Sequence, residues 1–190
     1  MSYNKFIKNN NLIIIFIFLI LSFSLFVGFF LNENSTGGAR QDYLVHDQIS
    51  IMFFNDFKNT LLNYDELKTR HSPLIPIYFS IFKFFEINDY IVRLIHLPLA
   101  LFLVLFFYKC LEIKFDQTNK KYLFIFSSII LLSPTVRSLS IWPDSHFYGL
   151  IFFLVAIYFF LIFLKVKNRE KLKYAYLNII FLVICSYIRP

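Results

Sequence analysis

Residues 12–31 form an apolar run of 20 residues, interrupted by nothing more polar than Ser22, Ser24 and Gly28. As a helix rising about 1.5 Å per residue it is about 30 Å long, the thickness of a bilayer's hydrocarbon core, so it predicts a membrane span. The rival reading is a cleaved secretory signal, whose apolar core runs about 7–15 residues and ends at a small-residue site. Here the run is longer and is followed by Asn32-Glu-Asn-Ser-Thr-Gly, which favours an uncleaved anchor. The rest of the chain carries the same surplus: 58% of its 190 residues are hydrophobic and 21% aromatic, against about 45–50% apolar in soluble domains. A water-soluble core of this size cannot hide that much apolar surface.

Further apolar runs, each bounded by charge or proline, lie at 91–108, 122–136, 147–164 and 174–188. The expected fold is therefore all-α: a single membrane domain over 1–190, a multi-pass transmembrane helical bundle of about five spans, with one long outer loop at 32–90. The shorter runs need tilt, local thinning or burial among neighbours to cross. Lysine and arginine near span ends favour the cytoplasmic side. With the N-terminus cytoplasmic, the inner side collects eleven bases against three acids, whereas the outer side has eight bases and nine acids. That segregation accounts for the net charge of +7 without a basic face for nucleic acid, and it predicts an integral membrane protein with a cytoplasmic N-terminus, a bacterial inner membrane being the expected site.

Several chemistries lack their parts. There is no G-x-x-x-x-G-K loop, G-x-G-x-x-G, G-x-S-x-G or H-E-x-x-H, which removes the usual nucleotide, dinucleotide, serine-hydrolase and zincin frameworks. Cys110 and Cys185 map to opposite leaflets, beyond disulfide reach, and read as packing residues. No metal-ligand spacing is present. The site is therefore read with no metal and no cofactor, a divalent cation being left open.

The outer loop holds the informative residues. Asn34-Ser-Thr-Gly-Gly-Ala-Arg ends the first helix. Val45, Ile49, Met52, Phe53, Phe57 and Leu61 then recur at helical spacing, with His46, Gln48, Ser50, Asn55, Lys58 and Asn59 opposite, predicting an amphipathic helix at the membrane surface. Leu74 to Ile87 is a second apolar run, about 21 Å long as a helix and too short to cross comfortably. It is expected in the interface or against the bundle. Asp42, Asp47 and His46 are the candidate catalytic groups here. Taken alone, Asp42 also fits a helix N-cap after a Gly-Gly turn, His46 a polar-face residue, and Asp47 the same choice less strongly.

The order Gly37-Gly-Ala-Arg-Gln-Asp42-Tyr-Leu-Val-His46, His71-Ser-Pro-Leu, Arg93, Ser133-Pro-Thr-Val-Arg137 and Trp142-Pro-Asp144 resembles the amino-terminal part of the GT-C membrane glycosyltransferases. These use polyprenyl-phosphate-linked sugars and include protein mannosyltransferases and lipid A aminoarabinose transferases. The resemblance runs from about residue 10 to the end, through short motifs whose order is more specific than any one of them. It implies a catalytic acid in the first outer loop, where Asp42 stands, in a pattern similar to Asp-Glu-x-x-His but with Tyr43 in place of the second acid. That departure leaves Asp47 as the alternative carboxylate.

A sugar hydroxyl attacking an anomeric carbon must lose its proton, which a carboxylate within reach can take. The departing lipid phosphate needs positive charge nearby. Arg70, Arg93 and Arg137 map to the outer side as candidates for it, with Arg189 as a further possibility. Asp144 and His146 join them from the turn between the third and fourth spans, where Arg137 with Asp144 also reads as an ordinary interfacial ion pair. His96, one turn inside the second span, has no assigned role. The implied partners are the lipid-linked sugar, a glycan, lipid or protein acceptor and membrane lipids. Enzymes of this kind have many more spans, so the chain is expected to be the amino-terminal portion of a larger module. The alternatives are a non-catalytic accessory or transport subunit, or a polysaccharide flippase or polymerase fragment.

Overall fold

The computed structural model describes residues 2–69, 71–115, 118–167 and 170–188. Arg70 and Arg189 lie outside the described residues. The architecture is an all-α, multi-pass helical bundle, and no described residue lies in a strand. Among the described residues, four helical stretches are long and apolar enough to cross a membrane: Leu12–Phe30, Asp89–Lys114, Ser145–Lys165 and Lys171–Ile188. A fifth is formed if the bent pair Lys120–Leu132 and Pro134–Ile141 counts as one span. Leu12, Phe16, Phe23, Phe153, Ile179 and Val183 stand out from this bundle with nothing of the chain over them, as lipid-facing side chains do.

The first helix, α1 (Ser2–Phe30), ends where Asn32 turns left-handed. Gly37, at φ 73°, then sets the entry to α2 (Gly38–Asn55), a conformation that side chains with a Cβ rarely adopt. Asp56 is extended, and its carboxylate accepts the Asn59 amide at 3.0 Å, so the chain restarts as α3 (Phe57–Leu62). The single amphipathic helix expected across this stretch is thus two helices. Its buried face also differs from expectation. The inward stripe of α2 is Ala39, Tyr43, His46, Ser50 and Phe53, joined by Ile49, while Met52 stands exposed. His46 and Ser50 face inward because the interior at this end of the bundle is polar, and the apolar residues on the other face are left for lipid.

After a 3₁₀ turn at Tyr64–Leu67 comes α4 (Leu74–Phe84), of 11 residues. At about 16 Å it does not cross a bilayer; it packs against α2, and Lys83 reaches the Asp47 carboxylate at 2.5 Å. Asn88 caps α5 (Asp89–His96) by accepting from the Ile91 amide. Past Pro98, α6 (Leu99–Lys114) continues nearly in line, so the second span begins earlier and ends later than its apolar run.

The third span, α7 (Lys120–Ser128) with a 3₁₀ turn at Ile129–Leu132, stops at Ser133. Pro134, with no N–H to donate, starts α8 (Pro134–Ile141) at 68° to it, so Val136 belongs to the next helix and not to the span as expected. Asp144 caps α9 (Ser145–Lys165), which lies against α6 and against α10 (Lys171–Ile188). Ala100 and Ala156 are both fully buried, and the Ala156 carbonyl accepts from Asn178 of α10.

The two ends of the bundle differ in character. At one, Lys109 and Lys120 converge on Glu112 at 3.0 and 2.7 Å. At the other, the loop after α1 is fastened to α8: Trp142 Nε1 donates to the Glu33 carbonyl, the Thr36 amide donates to Ser138 Oγ, and Arg137 grips the Glu33 carboxylate. Gly28 makes room for this last contact, since a Cβ there would meet both the Glu33 carboxylate and Arg137 Nη2.

Candidate functional site

Asp144 follows Pro143 in extended conformation, so its carboxylate folds back over the first turn of α9. Oδ1 accepts the amides of His146 at 2.9 Å and Phe147 at 3.1 Å, while Oδ2 accepts from His146 Nδ1 at 2.9 Å. The group is fully buried. Three N–H donors and the positive end of a helix dipole support its negative charge there.

Asp42 approaches from the other side. It is the fifth residue of α2, whose N-cap is Gly37, so the capping alternative does not hold. Its Oδ1 lies 3.8 Å from His71 Nε2 and its Oδ2 lies 3.9 Å from His146 Nδ1. These lengths are just beyond hydrogen bonding, as catalytic contacts often are without substrate.

His71 is buried, with Nδ1 3.0 Å from Ser145 Oγ. Its backbone is tied on both sides, the amide donating to Thr69 Oγ1 and the carbonyl accepting from Tyr64 Oη. The His46 ring meets the His71 ring edge-on at 4.7 Å between centroids, and His146 lies 6.2 Å from His71.

Five residues from three segments thus form one cluster, with Asp42, Asp144 and His146 at its centre, His71 beside Asp42, and His46 against the His71 ring. Four of them were candidates in the sequence. His71 was noted only as part of a motif, and Ser145 not at all; a histidine beside Ser-Pro at the end of a charged loop, just before an apolar run, was the available signal. Asp47 is held by Lys83 in the α2–α4 contact, which leaves Asp42 as the carboxylate that α2 brings to the cluster. Tyr43 turns away from it. Its hydroxyl donates to Asp89, and its ring packs on Phe79 and Trp142. Burial, and then the Asp89 bond, push the phenol well above its ordinary pKa.

The arginines sit elsewhere. Arg93 is buried; its Nε donates to the Ile141 carbonyl, both Nη groups donate to Asn32 Oδ1, and its guanidinium lies 3.4 Å from the Trp142 ring centre. Arg137 donates to Glu33, to Ser24 Oγ and to the Ser24 carbonyl. The Arg137 hydrogen bonds hold the Glu33 carboxyl below its ordinary pKa. Arg137 therefore pairs with Glu33 and Asp144 with His146; the ion pair between Arg137 and Asp144 is not formed. Both arginines fasten the loop after α1 to the bundle, Arg93 through Asn32 and Arg137 through Glu33. His96 is likewise structural: Nδ1 donates to the Val92 carbonyl, so Nε2 accepts from the Tyr78 hydroxyl at 2.9 Å.

The cluster can do two things chemically. A carboxylate beside two imidazoles can take up and pass on a proton. Asp42, Asp144 and His146 also each present a ligand atom within 4.8 Å of the others. Two carboxylates and an imidazole form a donor set suited to a divalent cation. Sequence spacing gave no sign of it, because the first ligand precedes the other two by about a hundred residues.

Comparison with protein-family models, with curated proteins and with solved structures finds no match to this chain.

Proposed function

We propose that this protein transfers a sugar from a polyprenyl-phosphate carrier to a hydroxyl-bearing acceptor at the outer face of a membrane, with Asp42 as general base. The observation that carries the reading is the convergence of Asp42, from the loop after the first span, with Asp144, His146 and His71 at one end of an apolar bundle. The segregation of basic residues supports a cytoplasmic N-terminus, with this end outward and the membrane a bacterial inner membrane. Cytoplasmic nucleotide sugars do not reach that side, whereas a lipid-linked donor does.

In the reaction the acceptor oxygen bonds to the anomeric carbon as the bond from that carbon to the phosphate oxygen breaks. The electron pair leaves with the lipid phosphate, and the acceptor proton passes to Asp42. A single displacement of this kind inverts the anomeric centre. His71, with Nε2 3.8 Å from one Asp42 oxygen, shares the proton afterwards. The charge on the departing phosphate needs a partner that Arg93 and Arg137, already engaged, do not supply. Asp42, Asp144 and His146 would hold a divalent cation, which when bound supplies positive charge at that point.

The test is transfer from a radiolabelled polyprenyl-phosphate sugar in membranes carrying Asp42→Asn or Asp47→Asn. Loss of a positioned base costs about 10²–10⁴-fold in rate, so Asp42→Asn loses transfer by that factor while Asp47→Asn keeps it. Equal tolerance of both substitutions points instead to an accessory or transport subunit.

A further inference from the structure

His71 lines a second feature besides the carboxylate cluster. A cleft of about 310 Å³ opens beside it, its walls including Tyr64 and Asp65 from the 3₁₀ turn, Thr69 and Ser72 from the loop that follows, and Tyr187 from the last turn of α10. The volume is at the small end of the range for small-molecule sites, about 300–1,000 Å³. It suits about one or two sugar rings.

The chemistry of the walls is uniform in kind. Two phenols, three alkyl hydroxyls, a carboxylate and an imidazole give many donors and acceptors, while the tyrosine rings offer flat apolar faces. Tyr64 is fixed, its hydroxyl donating to the His71 carbonyl at 3.0 Å. Burial, with the nearby Tyr187 adding to it, pushes this phenol up to about 12, so it remains a donor across the physiological range. Tyr187 is 54% exposed at the lip, a large ring left standing in the open. Ser72 Oγ is buried and has no hydrogen-bond partner among the described residues. The described lining residues include a carboxylate, Asp65. A carboxylate that accepts two hydroxyls at once, between aromatic faces, matches a neutral polyhydroxylated ring.

We infer that this cleft binds the terminal sugar of a hydroxyl-rich acceptor, which reaches past His71 to present its nucleophilic hydroxyl to Asp42. The inference rests on the proposed glycosyl transfer and adds to it the acceptor class, a glycan or glycolipid headgroup. Asp65 and Tyr187 are the specificity-bearing residues, and both are exposed, so substituting them leaves the bundle intact.

The experiment uses the full chain in a detergent without a sugar headgroup. Saturation-transfer NMR is recorded with a panel of para-nitrophenyl glycosides of glucose, galactose, mannose and N-acetylglucosamine. At least one glycoside binds saturably, and Asp65→Asn and Tyr187→Ala each weaken it tenfold or more. Trp142 fluorescence verifies that each variant is folded. Absence of saturable binding across the panel, or wild-type affinity in both cleft variants, overturns the inference. Competitive displacement of the glycoside by a polyprenyl-phosphate sugar gives the cleft to the donor and overturns it too, whereas simultaneous binding of both supports it. The two readings fail separately: glycoside binding that depends on the cleft with transfer indifferent to Asp42→Asn removes the catalytic assignment alone, and the reverse pattern removes the acceptor cleft alone.

Discussion

Replacing Arg137 with methionine separates a structural arginine from a phosphate-binding one. Arg137 is 14% exposed and Glu33 24%, so the pair is mostly, but not fully, out of water. Removing one partner of a fully buried pair costs about 3–5 kcal/mol; the residual exposure here brings the expected loss to about 2–4 kcal/mol. Glu33→Gln is milder, about 1–2 kcal/mol, because the amide still accepts from the guanidinium. The double variant then shows a coupling of about 1–3 kcal/mol.

The pH dependence has a definite sign. The folded Glu33 carboxyl titrates below its ordinary value, so the unfolded chain binds more protons in the acid range. The stabilisation is complete above the unfolded carboxylate pKa of about 4.3 and is lost as pH falls through the lower folded value. Arg137→Met removes this contribution, so its penalty is largest near neutrality and shrinks towards acid. The assay is built in, because the single tryptophan, Trp142, donates its indole N–H to the Glu33 carbonyl at 3.1 Å. Thermal unfolding in detergent followed by its fluorescence reports this junction directly. Unchanged unfolding in Arg137→Met, with transfer lost and restored by Arg137→Lys, refutes the structural role and returns Arg137 to the lipid phosphate.

Three further outcomes follow from the same geometry. Gly28→Ala drives a methyl group into the Glu33–Arg137 contact; it lowers stability by about 1–3 kcal/mol, as overpacking does, and the loss is smaller in an Arg137→Met background, which unfolding of the double variant measures. Asp144→Asn keeps an acceptor for the α9 amides but removes the charge facing His146, so transfer falls more than stability, whereas Asp144→Ala also loses the cap at about 0.5–2 kcal/mol; parallel unfolding and transfer assays separate the two. Exhaustive dialysis against EDTA abolishes transfer, Mn²⁺ restores it, and His146→Ala raises the restoring concentration tenfold or more; transfer indifferent to EDTA assigns Asp42, Asp144 and His146 to proton handling alone.

The spans were legible because lipid imposes length and apolarity on any helix that crosses it. The runs at 12–31 and 147–164 differ by a few residues from Leu12–Phe30 and Ser145–Lys165. The break in the third span was written in Ser133-Pro134, yet an apolar count continues through a proline that the backbone does not. The inward face of α2 was misjudged for a related reason. Hydrophobic periodicity assumes an apolar interior and a polar exterior, and here His46 and Ser50 face a polar interior while Ile51, Met52 and Phe54 face outward. Asp42, Asp144 and His146 could be named from the sequence as groups that chemistry would want outside. That Arg93 and Arg137 hold the loop after α1, with Asn32, Ser24 and Glu33 among their acceptors, depends on contacts of sixty to more than a hundred residues' separation. No local pattern encodes those.

The claim on which the rest depends is that Asp42 and its neighbours work on the far side of the membrane from the N-terminus. Lys58 and Lys167 are both exposed, one on the loop that carries Asp42 and one between the last two helices. With Cys110 and Cys185 replaced by alanine, Lys58→Cys and Lys167→Cys are treated with a membrane-impermeant maleimide in intact cells. The account predicts labelling at position 58 and protection at position 167 until the membrane is opened; the reverse pattern contradicts it.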